Sequence, residues 1–225
     1  MTSTIADSRS DAAWKQLSRA TGIAGLATLV LLFVPLVAAS GQEPSFDGSA
    51  AEVLRFAQSM TSPLAEFSRF LFTVGLLSFL WFIVGLSMVM RAAEGALPWR
   101  SSIAAASGIA FIALILSGSW DAAIHRVDDI DPQVARYAFD LANASFANGW
   151  VAVGSFAIAS GSAILYGGVF RPWLGWWAIV SGAGLALSRA VWTSEIWLLP
   201  YGLFWIWVIV VAVLLLRGRT SWRSA

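Results

Sequence analysis

The chain is 225 residues long, 58% hydrophobic and 12% charged, with 13 Trp and no Cys. That is too much apolar chain for one soluble core to hide, and without cysteine there is no disulfide, thiolate nucleophile, Fe–S cluster or Cys-ligated zinc. The formal net charge of +1 conceals a separation of acids from bases along the chain.

Six stretches carry no Asp, Glu, Lys or Arg: Ala20–Gln42, Phe70–Met90, Ser101–Trp120, Leu141–Phe170, Pro172–Ser188 and Ile196–Leu216. Each approaches or exceeds the roughly 20 helical residues that cross about 30 Å of hydrocarbon. The predicted fold is all-α, an integral membrane bundle of six transmembrane helices over residues 19–217. The flanks are a polar cytoplasmic tail at 1–18, loose or partly amphipathic, and a cytoplasmic C-terminal tail at 218–225.

The first run also resembles a secretory signal, because Val37-Ala38-Ala39-Ser40 has the small residues of a cleavage site. A long leader and a full spanning length favour a retained helix. After the Gly41-Gln42-Glu43-Pro44 break, Ala50–Met60 sets Val53, Leu54, Phe56 and Ala57 against Glu52, Arg55 and Ser59, which suits a short helix on the outer surface. Pro63 starts the second span, where Glu66 and Arg69 are spaced to pair along the helix. The third run ends in Trp120-Asp121. Asp131-Pro132 then reads as a cap and first turn, and the fourth crossing begins near Gly149 or Trp150. Small residues recur at Ser155, Ala159, Ala163 and Gly167, and again at Ala178, Gly182, Ala186 and Ala190, predicting a tight hairpin of the fourth and fifth spans. Trp173, Trp176, Trp177, Trp192 and Trp197 fit interfacial aromatic belts.

Orientation follows from the basic residues. With the N-terminus inside, the inner segments hold Arg9, Lys15, Arg19, Arg91, Arg100, Arg171, Arg217, Arg219 and Arg223. The outer segments hold Arg55, Arg69, Arg126, Arg136 and Arg189, with most of the acids. This excess of cations on one side places both termini in the cytoplasm of a cell-membrane protein.

Ionisable groups near membrane depth are costly, and they are default candidates for function. Here they gather on the outer side. Glu66, Arg69, Trp120, Asp121, His125, Asn148, Arg189, Trp192 and Glu195 are the candidate ligand-binding residues of an outward-facing polar pocket rimmed by Trp120, Trp150 and Trp192. The competing explanation is structural, with Glu66–Arg69, Arg189–Glu195 or Arg189–Asp121 as ion pairs that fasten helix ends. Asp121 and His125, at i and i+4, could orient an imidazole for proton transfer. One His in the chain leaves no His-rich zinc centre, and no metal or cofactor is expected. No phosphate loop, nucleophile elbow or dinucleotide fingerprint occurs, and the scattered inner cations make no nucleic-acid surface.

The segment Gly161-Ser162-Ala163-Ile164-Leu165-Tyr166-Gly167-Gly168-Val169-Phe170-Arg171-Pro172-Trp173-Leu174-Gly175, followed by Ala178-Ile179-Val180-Ser181-Gly182, resembles the uncharacterised bacterial six-span family DUF4386. The likeness runs from Thr21 onward and implies an integral membrane protein, with no activity and no catalytic residues to carry over. The abundance of Trp and the short fifth span depart from it.

The functional expectation is a non-enzymatic binding or accessory protein taking a small amphiphile, a lipid headgroup or a partner membrane protein. A small-molecule transporter and an intramembrane acid–base enzyme using Glu66 or Asp121 on a lipophilic substrate are the alternatives. A homo-oligomer is left open.

Overall fold

The computed structural model describes residues 2–39, 43–118 and 120–218, with the side chains of 2–10 and 36–39 outside the description. The Gly41-Gln42 break, the side chains of the cleavage-site motif and the tail from 219 onward therefore lie outside the described residues. Eight α-helices are described: α1 (Thr2–Ala39), α2 (Ala50–Ser59), α3 (Pro63–Glu94), α4 (Trp99–Leu116), α5 (Trp120–His125), α6 (Pro132–Gly167), α7 (Pro172–Ser188) and α8 (Leu198–Leu216). Among the described residues there is no strand, and six of the helices are long and apolar enough to cross a membrane.

Local chemistry sets the boundaries. Ser49 caps α2 through a reciprocal box, its backbone N–H donating to Glu52 Oε2 at 2.7 Å while Glu52 N–H donates to Ser49 Oγ at 3.3 Å. The Ser49 backbone N–H on the carboxylate, and after it the Ser49 hydroxyl, favour the ionised form and hold the Glu52 carboxyl below the usual carboxylate range. Ser62 and Asp131 cap α3 and α6, each followed by Pro in the first turn. Gly168, at φ 64°, ends α6 in the left-handed conformation that a side chain disfavours.

Two expectations shift. Residues 2–18 are helical and continuous with the first span, not a loose tail, because extending an existing helix costs far less than nucleating one. The third uncharged run is not one helix: α4 stops at Leu116, a turn follows through Ser117 and Gly118, and α5 begins at Trp120.

The spanning helices form a closed ring in which α1 packs on α3 and α8, α3 on α4, α4 on α6, α6 on α7 and α7 on α8, with α3 and α6 also touching. At about 1.5 Å per residue, the 36 residues of α6 reach about 54 Å, well beyond about 30 Å of hydrocarbon. The surplus first turns of α6 project past the bundle and carry α2 and α5, forming a cap at one end.

The centre is filled. Phe79 is fully buried and meets Phe111, Phe156, Phe204 and Trp205, at centroid distances of 6.0, 6.1, 6.3 and 5.2 Å. Outside, Ile23, Val30, Leu77, Trp81, Val84, Met88, Ile109, Ile158, Val180 and Ile206 stay exposed. Such an apolar belt would aggregate in water, but hydrocarbon solvates it.

Polar groups at depth bond between helices. Ser78 Oγ donates to Ala24 O, and the Ser107 and Ser155 hydroxyls pair at 2.8 Å. Trp177 Nε1 donates to Leu203 O and Trp207 Nε1 to Leu174 O, which ties α7 to α8 twice. Trp177 thus turns inward instead of joining the belt; Trp173 and Trp176 remain exposed.

The tight α6–α7 hairpin is present, but its small residues on α6 differ from the predicted stripe. A Cβ on Gly154 would lie 2.6 Å from Gly182 O, and one on Gly161 would collide with Gly175 O. Ser155 faces Ser107 on α4 and Gly167 abuts Ala93 on α3. Gly154 and Gly161 thus face α7, while Ser155 and Gly167 of the expected stripe face α4 and α3.

Candidate functional site

The capped end holds a cleft of about 320 Å³ between α3, the α4–α5 junction and α6, with Pro35 of α1 also at its wall. From α3 come Ala65, Ser68, Arg69, Phe72 and Leu76, which recur at three- and four-residue spacing and so share a face. Opposite them stand Ile115, Leu116, Gly118, Trp120 and Asp121, with Ala142 and Phe146 from α6. The helix stop at Ser117 and Gly118 makes this site: it lets α5 turn Trp120 and Asp121 back toward α3.

Arg69 is the polar anchor. Its Nε forms an ion pair with Asp121 Oδ1 at 3.1 Å and its Nη1 donates to Met60 O, so it clamps the end of α2, the start of α3 and α5 together. Its side chain is 19% exposed, while that of Asp121 is 67% exposed. Burial of the guanidinium beside apolar walls makes its remaining N–H donors the strongest polar feature facing the cleft. Trp120 stacks on Phe56 of α2 at 5.9 Å and meets Phe139 of α6 edge-on at 5.2 Å, bracing the mouth.

The other predicted residues lie elsewhere. Arg189 Nε donates to Asn148 Oδ1 at 2.7 Å, with its guanidinium carbon 5.7 Å from the Trp192 ring centroid. Trp192 in turn meets Phe46 edge-on at 4.6 Å. Arg136, paired with Asp140 at 2.9 Å, also donates to Phe46 O, so the segment before α2 is tied down from two sides. Glu66, His125 and Glu195 are exposed, and among the described residues they form no ion pair.

Each expected pair is replaced by another. Arg69 pairs with Asp121 and not with Glu66, because Arg69 lies on the α3 face turned toward the cleft while Glu66 faces out. Arg189 bonds an amide oxygen and not Glu195 or Asp121. His125 Nδ1 lies 2.8 Å from the Asp121 carbonyl oxygen, one helical turn back, and so is not oriented by the carboxylate. Trp150 does not rim a pocket; it is 2% exposed and stacks on Trp197 at 5.0 Å.

Sequence reasoning passed over the apolar walls, Phe72, Leu76, Ile115 and Phe146. Phe72 and Leu76 carry a signal, the helical spacing they share with Arg69 on α3, whereas Ile115 and Phe146 come from α4 and α6 and carry none. It also passed over Glu94 at the opposite end, whose carboxylate accepts from Arg100 N–H and, at 2.8 Å, from Ser101 N–H. Searches of family models, curated proteins and solved structures each find no match for the chain.

Proposed function

We propose that this multi-pass membrane protein is a non-enzymatic binding protein whose capped-end cleft takes a small amphiphile. The observation that carries the reading is the cleft itself, with apolar walls at Phe72, Leu76, Ile115 and Phe146 that converge on Arg69 and Asp121. Such a shape buries a hydrocarbon segment and offers its head both a cation and an anion, which complements a zwitterionic or hydrogen-bonding headgroup. Pockets of this kind are mostly apolar with a few placed polar groups.

The cleft opens at the end rich in acids, so the excess of Lys and Arg elsewhere supports an outward-facing site with both termini cytoplasmic. The filled aromatic centre around Phe79 supports binding over passage through the bundle. The exposed His125, bonded to a backbone carbonyl, offers no acid–base pair. The likeness to DUF4386 belongs to the same reading and adds no activity.

Native mass spectrometry of the detergent-extracted chain tests this. The wild type should retain an amphiphile-sized adduct, and Ala142→Trp, which fills the cleft from an accessible wall, should lose it. Equal adducts on the two, or none on either, would remove the support.

A further inference from the structure

At the end opposite the cap, α1 and α8 pack almost backbone to backbone. A Cβ on Gly22 would lie 2.7 Å from Ala212 O and 2.7 Å from Leu216 Cγ. This contact keeps the helices together to their ends and sets Lys15, Ser18 and Arg19 of α1 beside Arg217 and Gly218, around a hollow of about 220 Å³. The three cations are exposed, and none has a carboxylate at ion-pair distance among the described residues. Asp11, one turn before Lys15, leaves it unpaired. Three full positive charges outweigh the partial negative pole of the α8 C-terminus.

A second hollow, of about 440 Å³, shares Lys15 and Arg19 with the first and continues along α1 over Ala20 and Ile23. Ile23 is 60% exposed, at the depth where the uncharged run begins. A cationic hollow thus joins an apolar trough at a membrane boundary. A soluble anion would use only the first; a phospholipid uses both.

We propose that Lys15, Arg19 and Arg217 bind the phosphate of an anionic phospholipid whose acyl chain lies along α1 over Ala20 and Ile23. Basic hollows between spanning helices recognise such headgroups, each cation near the surface adding to the attraction. This site is independent of the capped-end cleft, from which the whole bundle separates it.

The test uses the full chain in micelles with equimolar phosphatidylglycerol and phosphatidylcholine, read by native mass spectrometry. The wild type should retain phosphatidylglycerol preferentially. Arg19→Gln and Arg217→Gln should each weaken it about fivefold, and the double variant about 25-fold. Lys15→Gln provides a third reading should either arginine variant fold poorly by circular dichroism. Arg171→Gln, an exposed cation at the same end on another turn, should leave retention unchanged. Equal retention of the two lipids, an unchanged double variant or an equal loss in Arg171→Gln would overturn the proposal. Displacement of the lipid by excess inorganic phosphate would assign the hollow to a soluble anion and overturn it too.

Discussion

Arg69 Nε and Asp121 Oδ1 stand 3.1 Å apart, yet the two side chains differ greatly in exposure, 19% against 67%. The pair therefore joins a cation held in apolar walls to an anion largely in solvent. Its Coulombic worth is that of a surface pair, while the arginine alone carries the desolvation cost.

This asymmetry predicts unequal losses. Asp121→Asn should cost under about 1 kcal/mol. Arg69→Ala also gives up the bond to Met60 O and the packing of its stem, and should cost about 1–3 kcal/mol. Equilibrium unfolding in mixed micelles measures both. An Asp121→Asn loss as large as that of Arg69→Ala would contradict the account of which partner is buried.

The α6–α7 contact makes a second prediction. Gly161→Leu drives a side chain into the backbone of Gly175, and overpacking of this kind costs about 1–3 kcal/mol or more. Gly202 on α8 has nothing within 4 Å of a Cβ, so Gly202→Ala should be neutral or stabilise by up to about 1 kcal/mol through helix propensity. Thermal scans of the two variants in one detergent compare them directly. Similar shifts would mean the helices do not approach as closely as described.

The sequence made some of this legible and hid the rest for physical reasons. Spanning lengths follow from hydrocarbon thickness, and the Asp131 cap before Pro132 is local chemistry, so both could be read. The two-sided use of α6 could not: Gly154 and Ser155 are adjacent, and only the positions of α4 and α7 decide which of them faces which neighbour. The site was half legible. Arg69, Trp120 and Asp121 were foreseen as members of one pocket, but Arg189 went to Asn148 because the break after Leu116 rotates α5 toward α3. No periodicity records that turn.

The Glu52 box gives a pH dependence. Its folded pKa lies below the ordinary value of 4.5, so the contribution to α2 is fully present above that value and is lost as pH falls through the folded pKa. A carbon-13 titration of the Glu52 side chain should have its midpoint below 4.5. Glu52→Gln should flatten the acid-side loss of α2 helicity. A midpoint at or above the ordinary value would show that the reciprocal bonds to Ser49 do not form in solution.

Glu94 closes the opposite end of the bundle and predicts the largest single loss. Its side chain is 0% exposed, 3.6 Å from the Arg100 guanidinium, and it accepts from the first free N–H groups of α4, where a negative charge is favoured by the helix dipole. Arg100 is itself held, with Nε donating to Ser162 Oγ and its guanidinium carbon 4.1 Å from the Tyr166 ring centroid. Glu94→Ala strands two backbone donors and the cation together, which should cost about 3–5 kcal/mol. Glu94→Gln keeps an acceptor and should cost clearly less, while an Arg100→Gln, Glu94→Gln double variant should recover part of the loss. Unfolding measured across this series reads the coupling, and equal losses for Glu94→Ala and Glu94→Gln would mean that charge and not bonding geometry secures the α3–α4 turn.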